Sequence, residues 1–516
     1  MMDLTPLLIT LPFLAILIGM IGLRWTALKA GFVAVCITIP ILIGVLGNNI
    51  AEFTSRMAPG AFLEAAFMSG SILWIIFGAL CIYHAQEKQG ATLVIRNALA
   101  RLHPNPRVSA LFIAWFFSLF MEGAAGFGTS AALTAPFLVS AGYRPVLAVV
   151  LALWGHSLGV VFGAVGTPVL TQAMLVSFTD LALSQAAIPS MILPTLTLGA
   201  ILSIGCFAFA RSSGNQAPHS RPPMGIIIFF GILAAVAFLV PAALIGLFLG
   251  PELPTLLGAV LGAIIFTVVV RYRQRGGFLN APQASSIDPK GLLLALAPYL
   301  VLIALVLMTR LIPDVKHLVQ HARIGFHWYH YQSSIQIFYH PGTLLFVSFL
   351  LGATIQRVPF NSLNFAVRQS LLKILSVLGA LFVMLFLSRI LLHGGAIDVL
   401  SREAIKLSGI TWPFWVAWFG ALGTFITGSA TASNILFSEF QRTAALNGGY
   451  PIAPLLGAQS VGAAVGNMVC PHNIIAAGAT VQLNGQEGEV MRYTLPVALL
   501  LCCLVGISAL LWIHLL

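Results

Sequence analysis

Charge is scarce in this chain: 25 Lys and Arg and 14 Asp and Glu make up 8% of its 516 residues. A soluble domain carries about 25% charged residues, so this chain has too little charge to clothe a water-facing surface. With 59% hydrophobic residues and a mean hydropathy of +0.99, the composition is that of a polytopic membrane protein. Cysteine is scarce too. Cys36, Cys81, Cys206, Cys470, Cys502 and Cys503 lie within or beside apolar segments without metal-ligand spacing, and read as buried thiols or packing residues. No convincing nucleophile, base and orienting-group set is present. A membrane-embedded enzyme using His156 or His472 as a base is therefore the remote reading. There is no basic n-region followed by a small-residue cleavage site, so the first apolar segment is expected to stay as a span.

What the chain has in abundance is apolar runs long enough to cross a bilayer, about 20 residues each. They begin near Leu7, Gly31, Met68, Val108, Pro145, Ile188, Gly225, Pro254, Leu292, Gly342, Ser370, Pro413, Ile452 and Tyr493. About 12 to 14 membrane segments are expected, some of them not true spans. The net charge of +11 raises a nucleic-acid partner, but the basic residues sit in short loops and read as topology signals. Arg24 and Lys29 follow the first span, and Lys88, Arg96, Arg101 and Arg107 the third. Arg211 and Arg221 flank one polar linker, and Arg271, Arg273, Arg275 and Lys290 another. The positive-inside rule puts these loops in the cytoplasm and the N-terminus outside. Arg402 and Lys406 run against it.

An internal repeat organises the chain. Ala114 to Pro168 lies over Ala417 to Pro471 without a gap at a constant offset of 303 residues. Ser157, Gly159, Gly163 and Pro168 pair with Ser460, Gly462, Gly466 and Pro471, and Ala114-Trp115-Phe116 with Ala417-Trp418-Phe419. Chance likeness between greasy helices would match Leu and Val, whereas Gly and Pro at fixed spacing carry backbone meaning. In a membrane chain, paired glycine-broken segments point to a transport site between two halves. On the charge count the first copy is entered from the cytoplasm and the second from outside, which makes the repeats inverted.

The polar chemistry concentrates there. Glu122-Gly-Ala-Ala-Gly-Phe-Gly-Thr-Ser130 breaks an apolar run with three glycines and two hydroxyls. Glycine costs about 1 kcal/mol in a helix interior, and opened backbone inside a bilayer is tolerated only against a cavity or protein. A broken helix leaves free N–H groups and a positive dipole end that suit a carboxylate. In the second copy Thr427-Gly-Ser-Ala-Thr-Ala-Ser-Asn434 offers hydroxyls and an amide. Close packing through small residues is the competing reading; it accounts for the glycines but not for the clustered Thr, Ser and Asn. Glu122, an ionisable group inside the bilayer, is a functional candidate by default. It either carries a proton or pairs permanently with a base such as Arg389 or Arg144. His156 and His472 are proton relays or hydrogen-bonded core histidines. Glu439 and Arg442 are further polar oddities.

The stretch from Pro313 to Gly342 holds five of the twelve histidines, His317, His321, His327, His330 and His340, among Trp and Tyr. His317 and His321 stand one helical turn apart, a spacing two metal ligands can use. Without a carboxylate or thiolate cluster nearby, the expectation is an interfacial segment whose aromatics lie at headgroup level, with no metal.

The blocks Glu122-Gly-Ala-Ala-Gly-Phe-Gly-Thr, Phe162-Gly-Ala-Val-Gly-Thr-Pro168, Gly428-Ser-Ala-Thr-Ala-Ser-Asn434 and Glu487-Gly-Glu resemble the L-lactate permease family. The resemblance implies a bacterial inner-membrane secondary transporter that takes up lactate, often glycolate too, in symport with protons, with a re-entrant hairpin in each half. By position Glu122 matches the family's acidic residue, and Gly123, Gly126, Gly128, Ser433 and Asn434 its glycine and serine-asparagine positions. Three positions depart. Ala430 stands where the family usually has Asp, Asn467 where it usually has Lys, and His472 where Gln is common. Losing an acid and a base together looks like removal of one ion pair, and Arg389 offers a substitute cation.

The expectation is thus an all-α polytopic membrane protein of two inverted repeats. A first half spans 1–250 with a hairpin near 121–143, a linking span and cytoplasmic linker cover 251–290, and a second half spans 291–516 with a hairpin near 427–447. Gly126, Gly128, Thr129, Ser130, Ser429, Thr431, Ser433, Asn434 and Arg389 are the expected substrate site, and Glu122, His156 and His472 the proton-coupling candidates. No cofactor is called for. The expected partners are a small organic anion, protons and the lipid bilayer, with no nucleic acid; a homo-oligomer is left open. A sodium-coupled or differently selective organic-anion carrier is the alternative.

Overall fold

The structure, a computed structural model, describes residues 4–23, 25–101, 106–126, 128–208, 223–274, 288–329, 331–483 and 485–515. The expectations placed on Arg24, Phe127, Arg211, Arg221, Arg275 and His330, and on most of the two linkers, lie outside the described residues.

Among the described residues, 11 helices are long and apolar enough to cross a membrane, or 12 if the bent pair Ile452–Gly466 and Pro471–Ala479 counts as one span. Each of the 14 expected segment starts falls in a helix. Two of those helices, Thr5–Met20 and Pro341–Ile355, are shorter than a span needs, as is Thr129–Ser140. Proline opens many of the helices, at Pro145, Pro289 and Pro341 for example, where its missing N–H costs nothing. The protein is therefore an all-α multi-pass membrane protein in its spans, with one departure.

That departure lies in the His-rich stretch expected to be an interfacial segment. It forms a short helix, Pro313–Gln320, and then an antiparallel hairpin in which Arg323–Trp328 pairs with Tyr331–Gln336. The hairpin is anchored rather than loose. Tyr331 is buried, packs edge-on to the His393 ring at 4.7 Å, and lies so close to Gly60 that a Cβ there would come within 2.3 Å of its ring. His321 bonds through Nδ1 to the His317 carbonyl at 2.5 Å.

Arg402 and Lys406, which ran against the charge rule, lie on the helix Ala396–Ser408 and are paired with Asp398 and Glu403 at 2.6 and 3.4 Å.

Both repeat copies contain a helical hairpin followed by a broken helix. In the first, Ser118–Ala124 and Thr129–Ser140 fold back on each other, with Phe117 against Phe137 at 5.5 Å and the Thr134 hydroxyl 3.3 Å from that of Ser118. In the second, Trp412–Thr427 and Ala430–Gly448 do the same, with Phe419 against Phe437 at 5.7 Å and the Ser433 hydroxyl donating to the Gly420 carbonyl at 2.7 Å. The two breaks begin at Ala125 and Gly428, again 303 residues apart. The helix after each hairpin packs onto it through glycine. Added Cβ atoms at Gly155 and Gly462 would lie 1.6 and 2.1 Å from the carbonyl oxygens of the repeat partners Ala114 and Ala417.

Candidate functional site

The first broken helix is where local sequence dictates an unusual backbone. Pro145–Ser157 tightens through Leu158–Phe162, and the next helix, Gly163–Val176, has a left-handed turn at Ala164, Val165 and Gly166 (φ 42°, 55° and 79°) ahead of Pro168. Left-handed backbone at Ala and Val is strained, on the order of 1–3 kcal/mol per residue, and such strain concentrates at functional sites. In the second copy Ile452–Gly466 ends and Pro471–Ala479 begins across Asn467–Cys470, bent by 41°.

The four pieces interlock crosswise. The first broken helix holds the second hairpin: Asn434 Nδ2 donates to the Pro168 carbonyl at 3.1 Å, and Gln172 Nε2 donates to Ser438 Oγ at 3.2 Å, while the same Asn434 amide reaches Ser460 Oγ on the second broken helix at 3.0 Å. The second broken helix lies against the first hairpin, where a Cβ at Gly128 would come 3.0 Å from Asn473 Oδ1. Gly128 opens the Thr129–Ser140 helix at φ 78°, and Gly126 sits at φ 60° just before it.

All four pieces meet at a cavity of about 30 Å³. The first hairpin contributes Glu122 and Gly126, the first break Val160, Gly163, Ala164, Thr167 and Pro168, the second hairpin Gly428, Ser429, Ala430 and Thr431, and the second break Asn467. Glu122 is 3% exposed, and its Oε2 accepts a 2.7 Å bond from Ser130 Oγ. Gly163 leaves room for it, since a Cβ there would lie 2.4 Å from Glu122 Oε1. Behind the wall, fully buried His156 bonds through Nδ1 to the Ala152 carbonyl at 2.8 Å and through Nε2 to Asn467 Oδ1 at 3.0 Å.

The expected site residues thus divide. Glu122, Gly126, Ser429 and Thr431 line the cavity. Ser130 braces Glu122, Thr129 Oγ1 donates to the Gly126 carbonyl at 2.7 Å, and Gly128 sets the turn. Ser433 and Asn434 lie behind the cavity, tying helices together. His472 is exposed, beside Gly428. Arg389 does not meet Glu122. It is buried in an ion pair with Glu439 at 3.2 Å, and Arg442 approaches the other Glu439 oxygen at 3.6 Å. The charge that the sequence reading offered to a substrate, or to Glu122, is already taken by a carboxylate. Ala430 and Asn467, 37 residues apart in sequence, line the same cavity. Gly163, Ala164 and Thr167 were missed as lining residues, although the aligned Gly163 and Pro168 marked their segment.

The chain can now be set beside known proteins. The profile of the family described as L-lactate permease matches residues 6–516. The L-lactate permease of Streptococcus iniae is 28% identical over 444 residues, covering 85% of this chain and 90% of its own. For the L-lactate permease of Escherichia coli K12 the values are 26% over 562 residues, 98% and 95%; for Glycolate permease GlcA of the same strain they are 26% over 536 residues, 93% and 91%. Among solved structures, the YdaH transporter of Alcanivorax borkumensis matches with a TM-score of 0.50 at 13% identity, over 90% of this chain and 89% of that one, a likeness of fold alone. With a family match running almost end to end over a multi-pass helical fold, the protein belongs to the L-lactate permease family, a family of membrane permeases and not of enzymes.

Proposed function

We propose that the protein imports a small monocarboxylate, lactate or glycolate, across a bacterial inner membrane by proton symport with alternating access. The observation that carries this reading is the convergence of a buried carboxylate, Glu122, with backbone opened at Gly126, Ala164–Gly166 and Ser429 around one cavity. Opened backbone inside a bilayer is stable only where it lines such a space, and helix N-termini beside it favour an anion. The matched relatives named for L-lactate and glycolate support that substrate class.

The substrate site comprises Gly126, Ser429 and Thr431 at the cavity, with Gly128, Thr129 and Ser130 shaping the first hairpin and Ser433 and Asn434 the second. Glu122 is the proton carrier. Its contact with Ser130 survives in either protonation state, because a carboxylic acid also accepts from a hydroxyl. A cavity of about 30 Å³, where one water needs about 10–15 Å³, has room for two or three waters and too little for a six-atom anion, so the hairpins must part to admit substrate. In this reading residues 1–250 and 291–516 are inverted halves, and their crosswise packing is the interface that opens on alternate sides.

Proton movement tests the coupling. L-lactate added to proteoliposomes holding a pH dye, without a gradient, should acidify the lumen faster than in empty liposomes. Protein-dependent lactate entry with no added acidification would overturn symport.

A further inference from the structure

His156 sits in a hydrogen-bond chain whose two ends are backbone carbonyls, and such ends leave no freedom in where the protons lie. At one end Asn473 Nδ2 donates to the Asn467 carbonyl at 3.2 Å, which fixes which end of the Asn473 amide is nitrogen. The same Nδ2 lies 2.8 Å from the Asn467 side chain, so the Asn467 atom there is an acceptor, its Oδ1. That oxygen is also 3.0 Å from His156 Nε2, which must therefore carry a proton. At the other end His156 Nδ1 lies 2.8 Å from the Ala152 carbonyl and must carry one as well. A neutral imidazole has one N–H; this ring needs two. Asn467 Nδ2 has no protein acceptor among the described residues, and Asn467 lines the cavity.

We infer that His156 is held as an imidazolium by the Asn467–Asn473 chain, and that this buried positive charge, with the Asn467 Nδ2–H it turns toward the cavity, recognises the carboxylate of the transported anion. The inference rests on the reading of the cavity as an anion site. It makes His156 a fixed charge instead of a proton relay, and Asn467 the residue that positions its proton.

The charged or readily charged side chains on helices packed against Pro145–Ser157 are Asp180, Glu487 and Glu489 on the first turns of their helices, Arg492 on the second turn, and His472 and Glu122 near the breaks. Of these, Glu122 lines the cavity and feels the charge of His156 from behind the cavity wall. An empty site is then neutral, with Glu122 ionised opposite His156. A bound monocarboxylate keeps it neutral only if Glu122 has taken a proton, because uncompensated charge in a buried site is costly. Anion and proton therefore enter one for one.

Two measurements test this on the intact protein. Nitrogen NMR of histidine-labelled protein, with His156 assigned by difference from His156→Gln, should show both ring nitrogens protonated at neutral pH. Asn467→Asp keeps an oxygen acceptor of the same size toward His156 and Asn473 but cancels the charge and removes the Nδ2 donor. It should fold, keep the doubly protonated ring and weaken L-lactate binding at least tenfold. A singly protonated wild-type ring, or an Asn467→Asp protein that binds L-lactate like wild type, would overturn the inference. A doubly protonated ring in wild-type protein that ignores L-lactate would instead sink the substrate reading alone, since the ring measurement uses no substrate.

Discussion

Replacing Arg389 by Gln should unfold the protein more easily before it does anything to substrate. Arg389 and Glu439 are 4% and 3% exposed and 3.2 Å apart. At an effective dielectric of about 20, opposite charges at that distance attract by about 5 kcal/mol. Most of this offsets the desolvation of the two charges, so the pair as a whole adds little net stability, but removing one partner leaves a buried charge uncompensated at a cost of about 3–5 kcal/mol. Arg442 is 37% exposed and 3.6 Å from the second Glu439 oxygen, so it can swing in and hold Arg389→Gln near the lower end of that range. Glu439→Gln has no such relief, because no second acid is paired with Arg389 among the described residues. The double replacement Arg389→Met with Glu439→Met should recover most of the loss, since well-packed apolar residues often replace a buried ion pair without cost. Denaturant unfolding of the purified protein in detergent, run on both single variants and the double variant, checks this order of stabilities. An Arg389→Gln protein as stable as wild type, with an L-lactate half-saturation concentration raised tenfold, would refute this reasoning and return the guanidinium to the substrate.

Three further outcomes are expected. Glu122→Gln keeps the acceptor that Ser130 uses and should insert and fold normally, while pH-driven accumulation of L-lactate disappears; unchanged accumulation removes Glu122 from coupling. Gly163→Ala places a methyl 2.4 Å from Glu122 Oε1. Overpacking of this kind costs about 1–3 kcal/mol, so transport should fall about tenfold with the fold intact, and wild-type uptake would show that the carboxylate is free to move aside. Tyr331→Ala removes a buried ring from between Gly60 and His393 and should cost about 3–5 kcal/mol, read as early proteolysis within 323–336; an unchanged cleavage pattern would mean that the hairpin holds by other contacts.

Much of this architecture can be read from residue order. Span-length apolar runs mark the helices because a bilayer demands them, and the Gly and Pro matches at an offset of 303 mark both broken helices because opened backbone needs those residues. The strand pair 323–336 was not read as strands, although Ile324, Phe326 and Trp328 alternate with Arg323, Gly325 and His327. Histidines and aromatics pointed instead to an interface. The left-handed turn at Ala164 and Val165 has no sequence signal, since tertiary packing imposes it on residues that disfavour it. His156 and Asn467 are 311 residues apart, and no local pattern links them. Arg389 looked available because its partner Glu439 is 50 residues away, a pairing made by two helices that only the fold brings together.

The central claim is that this cavity couples a monocarboxylate to a proton, and gradient-driven uptake tests it most directly. Labelled L-lactate should accumulate in proteoliposomes under an inward proton gradient without sodium, above the level in empty liposomes, and collapse of the gradient should release it. Uptake that ignores the proton gradient, or that requires sodium, would contradict the account.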